Sequence, residues 1–169
     1  STAEPGGPPP GAASGTASRR VTRLGRQIAG LPVDPRLGRM LLAAARQHCL
    51  AEMLVIAAFL ETQDPRERPA EMQQQADDKH ALFADGRSDF VTVLDLRRAF
   101  GEQAAALSGN QLRKWCREHF LSFLRMREWQ DLHTQLARSV RELELRPSRA
   151  PASYAELHQA ILTGFLGSV

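Results

Sequence analysis

Leu31-Pro32-Val33-Asp34-Pro35-Arg36-Leu37-Gly38-Arg39-Met40-Leu41-Leu42 reads as an extended tripeptide handing over to a helix. Leu31 precedes a proline, and the proline ring steers it away from the helical region. Asp34 offers a carboxylate to the first free N–H groups, and Pro35 brings a fixed φ that suits the first helical position. Leu37, Met40, Leu41 and Ala44 then recur at helical spacing. Upstream, Thr22 is placed to cap a short helix carrying Leu24 and Ile28 that ends at Gly30. Gly25 and Gly38 are expected to allow close helix approach. Downstream, Leu50 to Leu60 is apolar on nearly every side, the pattern of a helix at the centre of a domain.

The helical signal continues to the end. Asp64-Pro65-Arg66-Glu67-Arg68-Pro69 is a charged loop bracketed by prolines, and Pro69 opens a helix running towards Phe83 and ending near Gly86. Ser88 and Asp89 cap a helix carrying Phe90, Val93, Leu94 and Phe100. Ser108 and Gln111 have capping-box spacing, as do Ser153 and Glu156. The first box introduces Leu112, Trp115, Cys116, Phe120, Phe123 and Leu124 on one face. That face continues less regularly through Trp129, Leu132, Leu136, Val140 and Leu143, with a bend expected between Ser122 and Arg127. Trp115 reads as core, and Trp129 as core or domain interface. The second box opens a last helix with Leu157, Ile161 and Phe165, its end weakened by Gly164 and Gly167. No alternating strand and no internal repeat is present, so the expected fold is an all-α multi-helix bundle.

The opening segment is different. STAEPGGPPPGAASGTAS (residues 1–18) has no large apolar residue to offset the entropy of ordering it, and reads as a flexible linker or insertion. The 169 residues carry a net charge of +3, and Lys79 and Lys114 are the only lysines. Arginine suits bidentate phosphate contact, although an arginine-rich composition also fits a GC-rich coding sequence. No apolar run approaches the length that spans a bilayer and no signal peptide is visible, so a cytoplasmic location is expected. Cys49 and Cys116 lie in apolar helical runs as small hydrophobes.

Motifs for chemistry are missing. No glycine-rich phosphate loop ending in Lys-Ser or Lys-Thr occurs, nor an acidic box for magnesium, nor a nucleophile elbow. His48, His80, His119, His133 and His158 are dispersed without metal-ligand spacing. Asp77 and Asp78 are adjacent and point apart on a helix, reading as a solvated face. No catalytic residue and no metal ligand is expected.

The stretch from Thr22 to Leu42 resembles the helicase-associated region of DEAH-box RNA helicases. Gln63 to Pro69 resembles the loop of the bacterial HrpA type. Ala76 to His80, Phe83-Ala84-Asp85, Ser88-Asp89-Phe90, Trp115-Cys116, Phe120-Leu121, Arg125 and Arg127 to Asp131 are similar to the helices that follow. The resemblance covers residue 20 onwards and leaves out the Pro/Gly-rich opening. It implies that residues 1–19 are linker or insertion, 20–32 the end of a degenerate winged-helix region, and 33–169 a ratchet-like helical domain. It implies an accessory role in an ATP-dependent 3′-to-5′ helicase, with ATP and magnesium held by motor domains outside this chain. The implied partners are single-stranded RNA, bound weakly by this chain alone, and the RecA-like and OB-fold domains of the parent.

His119, Ser122 and Arg125 stand at three-residue steps, are expected to share a helix side, and match the family's RNA-facing ratchet helix. Arg127 follows them, and Arg66 and Arg68 are loop cations able to reach a phosphate or the motor. The plain alternative is that these arginines are solvated or internally paired. A helical protein–protein interaction module without RNA contact is the competing function. A helix-turn-helix regulator is disfavoured, because the helix after Arg36, Arg39 and Arg46 is too apolar to lie in a groove.

Overall fold

The computed structural model describes residues 23, 25–31, 33–143 and 150–166. The expected linker, the Thr22 cap, Leu24 and Gly167 lie outside the described residues. Residues 25–29 are helical (α1). Then follow α2 (Pro35–Arg46), α3 (Leu50–Glu61), α4 (Gln73–His80), α5 (Asp89–Ala106), α6 (Gly109–Glu118), α7 (Phe123–Glu142) and α8 (Tyr154–Leu166). The expected all-α class holds: among the described residues the only strand-like pairing is one isolated antiparallel bridge, Arg66 to Leu121.

α2 starts where its capping residues dictate. Asp34 Oδ1 accepts the Arg36 N–H at 2.8 Å, and Pro35 stands in the first turn. Leu37, Met40 and Leu41 are buried. Gly38 lets α1 approach, since a Cβ there would lie 3.4 Å from Ile28 Cγ2. His48, in the left-handed region at φ 59°, turns the chain into α3. Leu50, Met53, Leu54, Ile56, Ala57 and Ala58 are then all buried. No single face of α3 can be the apolar one, so α3 is walled by α2, α5 and α7. Trp129 of α7 is fully buried against it. Its Nε1–H donates to Val55 O at 3.0 Å, and its ring meets Phe59 edge-on at 5.2 Å. Trp129 is therefore core. Leu96 and Phe100 of α5 join the same core.

Both capping boxes form. Ser108 Oγ accepts from Gln111 N at 3.4 Å while Gln111 Oε1 accepts from Ser108 N at 3.0 Å. Ser153 and Glu156 make the equivalent bonds at 3.2 and 2.9 Å. α8 then lies on α2. Gly164 is a point of close approach: a Cβ there would overlap the Met40 side chain. That glycine serves packing, which is a stronger role than the weakened helix end read from the sequence.

Two expectations shift. The helix expected from Pro69 to Phe83 comes in three pieces, with 3-10 turns at Ala70–Met72 and Ala81–Phe83 around α4. Ala76 is the only buried residue of α4, so no apolar stripe holds a longer regular helix in place. The bend expected between Ser122 and Arg127 is a full break at residues 119–122, just ahead of that position. Phe120 adopts φ 52°, and Ser122 caps α7 by accepting the Arg125 N–H at 3.3 Å. The apolar face therefore does not run on: Leu121 is buried, but Leu124 is 67% exposed.

Gly164→Ala is expected to destabilise the chain by about 1–3 kcal/mol, because Met40 is buried and has little room to yield. Urea unfolding of the variant checks this, and an unchanged midpoint would remove α8 from the cooperative core. A second prediction concerns His133 on α7. Burial pushes its imidazole down to about 4, and the charge of Arg97 adds to the effect. An unfolded histidine titrates near about 6.5, so between there and about 4 the unfolded state binds the extra proton. Stability contributed by the neutral ring is complete above that window and lost as pH falls through it. The urea midpoint should drop from pH 7 to pH 4.5, and the drop should shrink in His133→Leu.

Candidate nucleic-acid interface

The apolar run of α3 ends at Glu61, and Thr62 closes it by donating its hydroxyl to Ala58 O at 2.9 Å. The chain then leaves the core as the Asp64–Pro69 loop. Asp64 folds the loop on itself, its Oδ1 accepting the Arg66 N–H at 3.0 Å. Pro65 is fully buried, which fixes the loop to the body of the protein.

The loop is bolted to the α6–α7 break. Ser122 N–H donates to Pro65 O at 2.8 Å, and Glu67 N–H donates to Phe120 O at 2.8 Å. The same Phe120 carbonyl accepts from His80 Nε2 at 3.0 Å, which places a proton on that nitrogen. The left-handed turn at Phe120 is thus where one carbonyl meets two donors from two other segments. Arg125 adds a fourth tie, its Nη1 donating to Asp64 O at 3.3 Å.

This junction gathers some of the sequence-derived candidates and separates others. Arg66, Ser122 and Arg125 come together there. His119, Ser122 and Arg125 do not share one helix side, because the break intervenes: His119 ends α6, Ser122 caps α7, and Arg125 lies in its first turn. The His119 ring stacks on Trp115, with centroids 4.5 Å apart, and Phe83 lies 6.0 Å away. Its Nδ1 donates to Trp115 O at 2.7 Å. Trp115 is half-buried, between Phe83, Phe100 and His119, so it joins the edge of the core.

The loop cations have partners. Arg66 makes a two-point contact with Asp64, at 3.0 and 2.7 Å. Burial pushes the Asp64 carboxyl up, but the hydrogen bonds and charge of Arg66 outweigh it and hold the group below its usual range. Arg68 makes the same fork with Asp77 at 2.7 and 2.8 Å, and this bond chiefly lowers the Asp77 carboxyl. Asp78 instead accepts from Gln74 at 2.8 Å, so the acidic pair does split. Arg127 is exposed and makes no ion pair among the described residues.

Sequence reasoning allowed for internal pairing of these arginines but named neither partner, and it missed the cation–aromatic pair of Arg113 over Phe123, at 5.0 Å. A local signal existed for the first. The Asp-x-Arg spacing of Asp64 and Arg66 recurs in Asp85 and Arg87, with the same backbone bond at 2.8 Å and an ion pair at 3.2 Å. No local signal existed for Arg68 with Asp77, which are brought together by the irregular turn between them. Among the described residues no three His, Cys, Asp or Glu side chains gather to hold a metal ion. The chemistry on offer is hydrogen-bond donation and positive charge from a braced elbow.

Residues 34–123 match the family described as "Helicase associated domain (HA2), ratchet-like". The chain is 48% identical over 150 residues to the ATP-dependent RNA helicase HrpA of Escherichia coli, covering 89% of this chain and 12% of that protein. It is 48% identical over 151 residues to the HrpA homolog of Haemophilus influenzae, with the same coverage of 89% and 12%. It is 36% identical over 118 residues to the pre-mRNA-splicing factor ATP-dependent RNA helicase prp22 of Schizosaccharomyces pombe, covering 70% of this chain and 10% of that protein. The matched region runs from the Asp34 cap of α2, through the bolted loop, to the first residue of α7, and this chain belongs to the ratchet-like helicase associated domain family.

Proposed function

We propose that this chain is the non-catalytic accessory domain of an ATP-dependent, 3′-to-5′ RNA helicase, and that it confines single-stranded RNA against a RecA-like motor elsewhere in the same protein. The observation that carries this reading is the elbow between α6 and α7, a cationic surface braced by four hydrogen bonds to distant segments. Confining a strand calls for donors and cations on a support that does not yield, and calls for no nucleophile. Relatives bearing the name ATP-dependent RNA helicase support the same reading.

In this reading ATP and magnesium are bound by the motor, since this chain has no phosphate loop. The parent's RecA-like and OB-fold domains are its intramolecular partners. Residues 20–32 finish a winged-helix region, and the parent works in the cytoplasm. No described helix is long and apolar enough to cross a membrane. The chain alone supplies one wall of a channel, so its own RNA affinity is weak. The competing reading, a helical module that docks a protein partner, draws on Leu82 and Leu124, each 67% exposed.

The test is made in the full-length protein that carries this chain, with His119 and Arg125 both changed to alanine. Basal ATPase should survive while RNA-stimulated ATPase and unwinding fall, on the order of tenfold for each 1.4 kcal/mol of RNA-binding free energy removed. Wild-type stimulation and unwinding in that variant would reject RNA contact through His119 and Arg125 and weigh for the docking reading.

A further inference from the structure

The loop arginines at the junction are already engaged: Arg66 and Arg68 are each paired with an aspartate at 2.7 Å, and Arg125 donates to Asp64 O at 3.3 Å. Arg113, Arg117 and Arg127 are exposed and make no ion pair among the described residues. They fall on two adjoining helix edges. Arg113 and Arg117 are one turn apart on α6, and Phe123 and Arg127 are one turn apart on α7. The Arg113 guanidinium lies over the Phe123 ring at 5.0 Å, which joins the two edges across the break. Next to Phe123, Leu124 is 67% exposed.

We propose that Arg113, Arg117 and Arg127, with the exposed Leu124 beside them, form the strand-binding surface of the elbow, taking the phosphates of single-stranded RNA on the arginines and a base against Leu124. This deepens the RNA reading above and rests on it. It also moves the contact from the loop arginines to arginines of α6 and α7.

Charge complementarity decides the occupant. Arg66 and Arg68 offer a phosphate little, because binding there must first compete with a two-point carboxylate contact. Among the described residues Arg113, Arg117 and Arg127 have no such competitor. Cations one turn apart, about 5.4 Å along the axis, can meet successive charges on a flexible polyanion. An apolar side chain beside them suits a ligand that alternates anionic groups with flat apolar faces, as a single strand does. Arg113 over Phe123 already sets a guanidinium against an aromatic face, a contact of the kind it can make with a base.

The test uses the 169-residue chain and a fluorescent oligouridine of roughly 12 nucleotides, with anisotropy followed across a salt titration. The triple variant R113A/R117A/R127A should bind at least about tenfold more weakly, and its log–log salt slope should be shallower by about 2, from about 0.7 per phosphate contact. Leu124→Ser should weaken binding and keep the slope. The double variant R138A/R141A removes charge about three turns further along α7 and should stay close to wild type. Circular dichroism confirms that each variant keeps its helices. An unchanged triple variant, or an equal loss in the R138A/R141A control, overturns the elbow surface and leaves the RNA reading standing. Polyglutamate competing as well as RNA overturns it in favour of an acidic protein partner. A wild-type chain that binds no RNA at low salt overturns both.

Discussion

The helix α3 has no polar side to give to water. Its six buried residues leave it stable only when neighbours cover it all round, and that constraint arranges the rest of the chain. Each of Met53, Leu54 and Ile56 is worth about 1.5–3 kcal/mol when removed from water. α2, α5 and α7 supply the cover. α7 is also bonded to the helix backbone itself, through Trp129 and the Val55 carbonyl. The loop after α3 then leaves the core beside α7, where Pro65 and Glu67 are bonded to the break ahead of it.

That passage explains why α6 and α7 are two helices. A continuous helix would need helical geometry at Phe120, yet the residue is left-handed, which costs about 1–3 kcal/mol for a bulky side chain. The cost is offset locally. The strained turn gives its carbonyl two donors and sends Leu121 into the core. A helix kinked by strain alone would flex, whereas this one is tied on both sides of the turn. The result is a fixed angle between two helix edges.

The sequence carried the local rules well. Asp34 with Pro35, Ser88, and the two capping boxes act within a few residues, so the helix starts they announce are present. The central position of α3 was legible for a related reason: an apolar surface on all sides has one stable placement. The break was legible only as a loss of apolar phase. Its exact place depends on hydrogen bonds from residues 65, 67 and 80, more than 40 positions away in two of the three cases. Periodicity contains no record of such bonds.

The candidate site was legible in its residue types and not in its charges. Arginine identity says what a side chain can bind, while its neighbours decide whether it is free to bind. Arg66 and Arg127 look equivalent in sequence. In the fold, one is held by Asp64 and the other has no ion pair among the described residues. Pairing also has a structural use that works against ligand binding. Asp64 with Arg66 shapes the loop that braces the break, so a phosphate that pulled Arg66 away would loosen its own support. A division of labour follows from that conflict. Arg66 and Arg125 are taken up in bracing the elbow, and the exposed Arg113, Arg117 and Arg127 keep their charge available to a ligand.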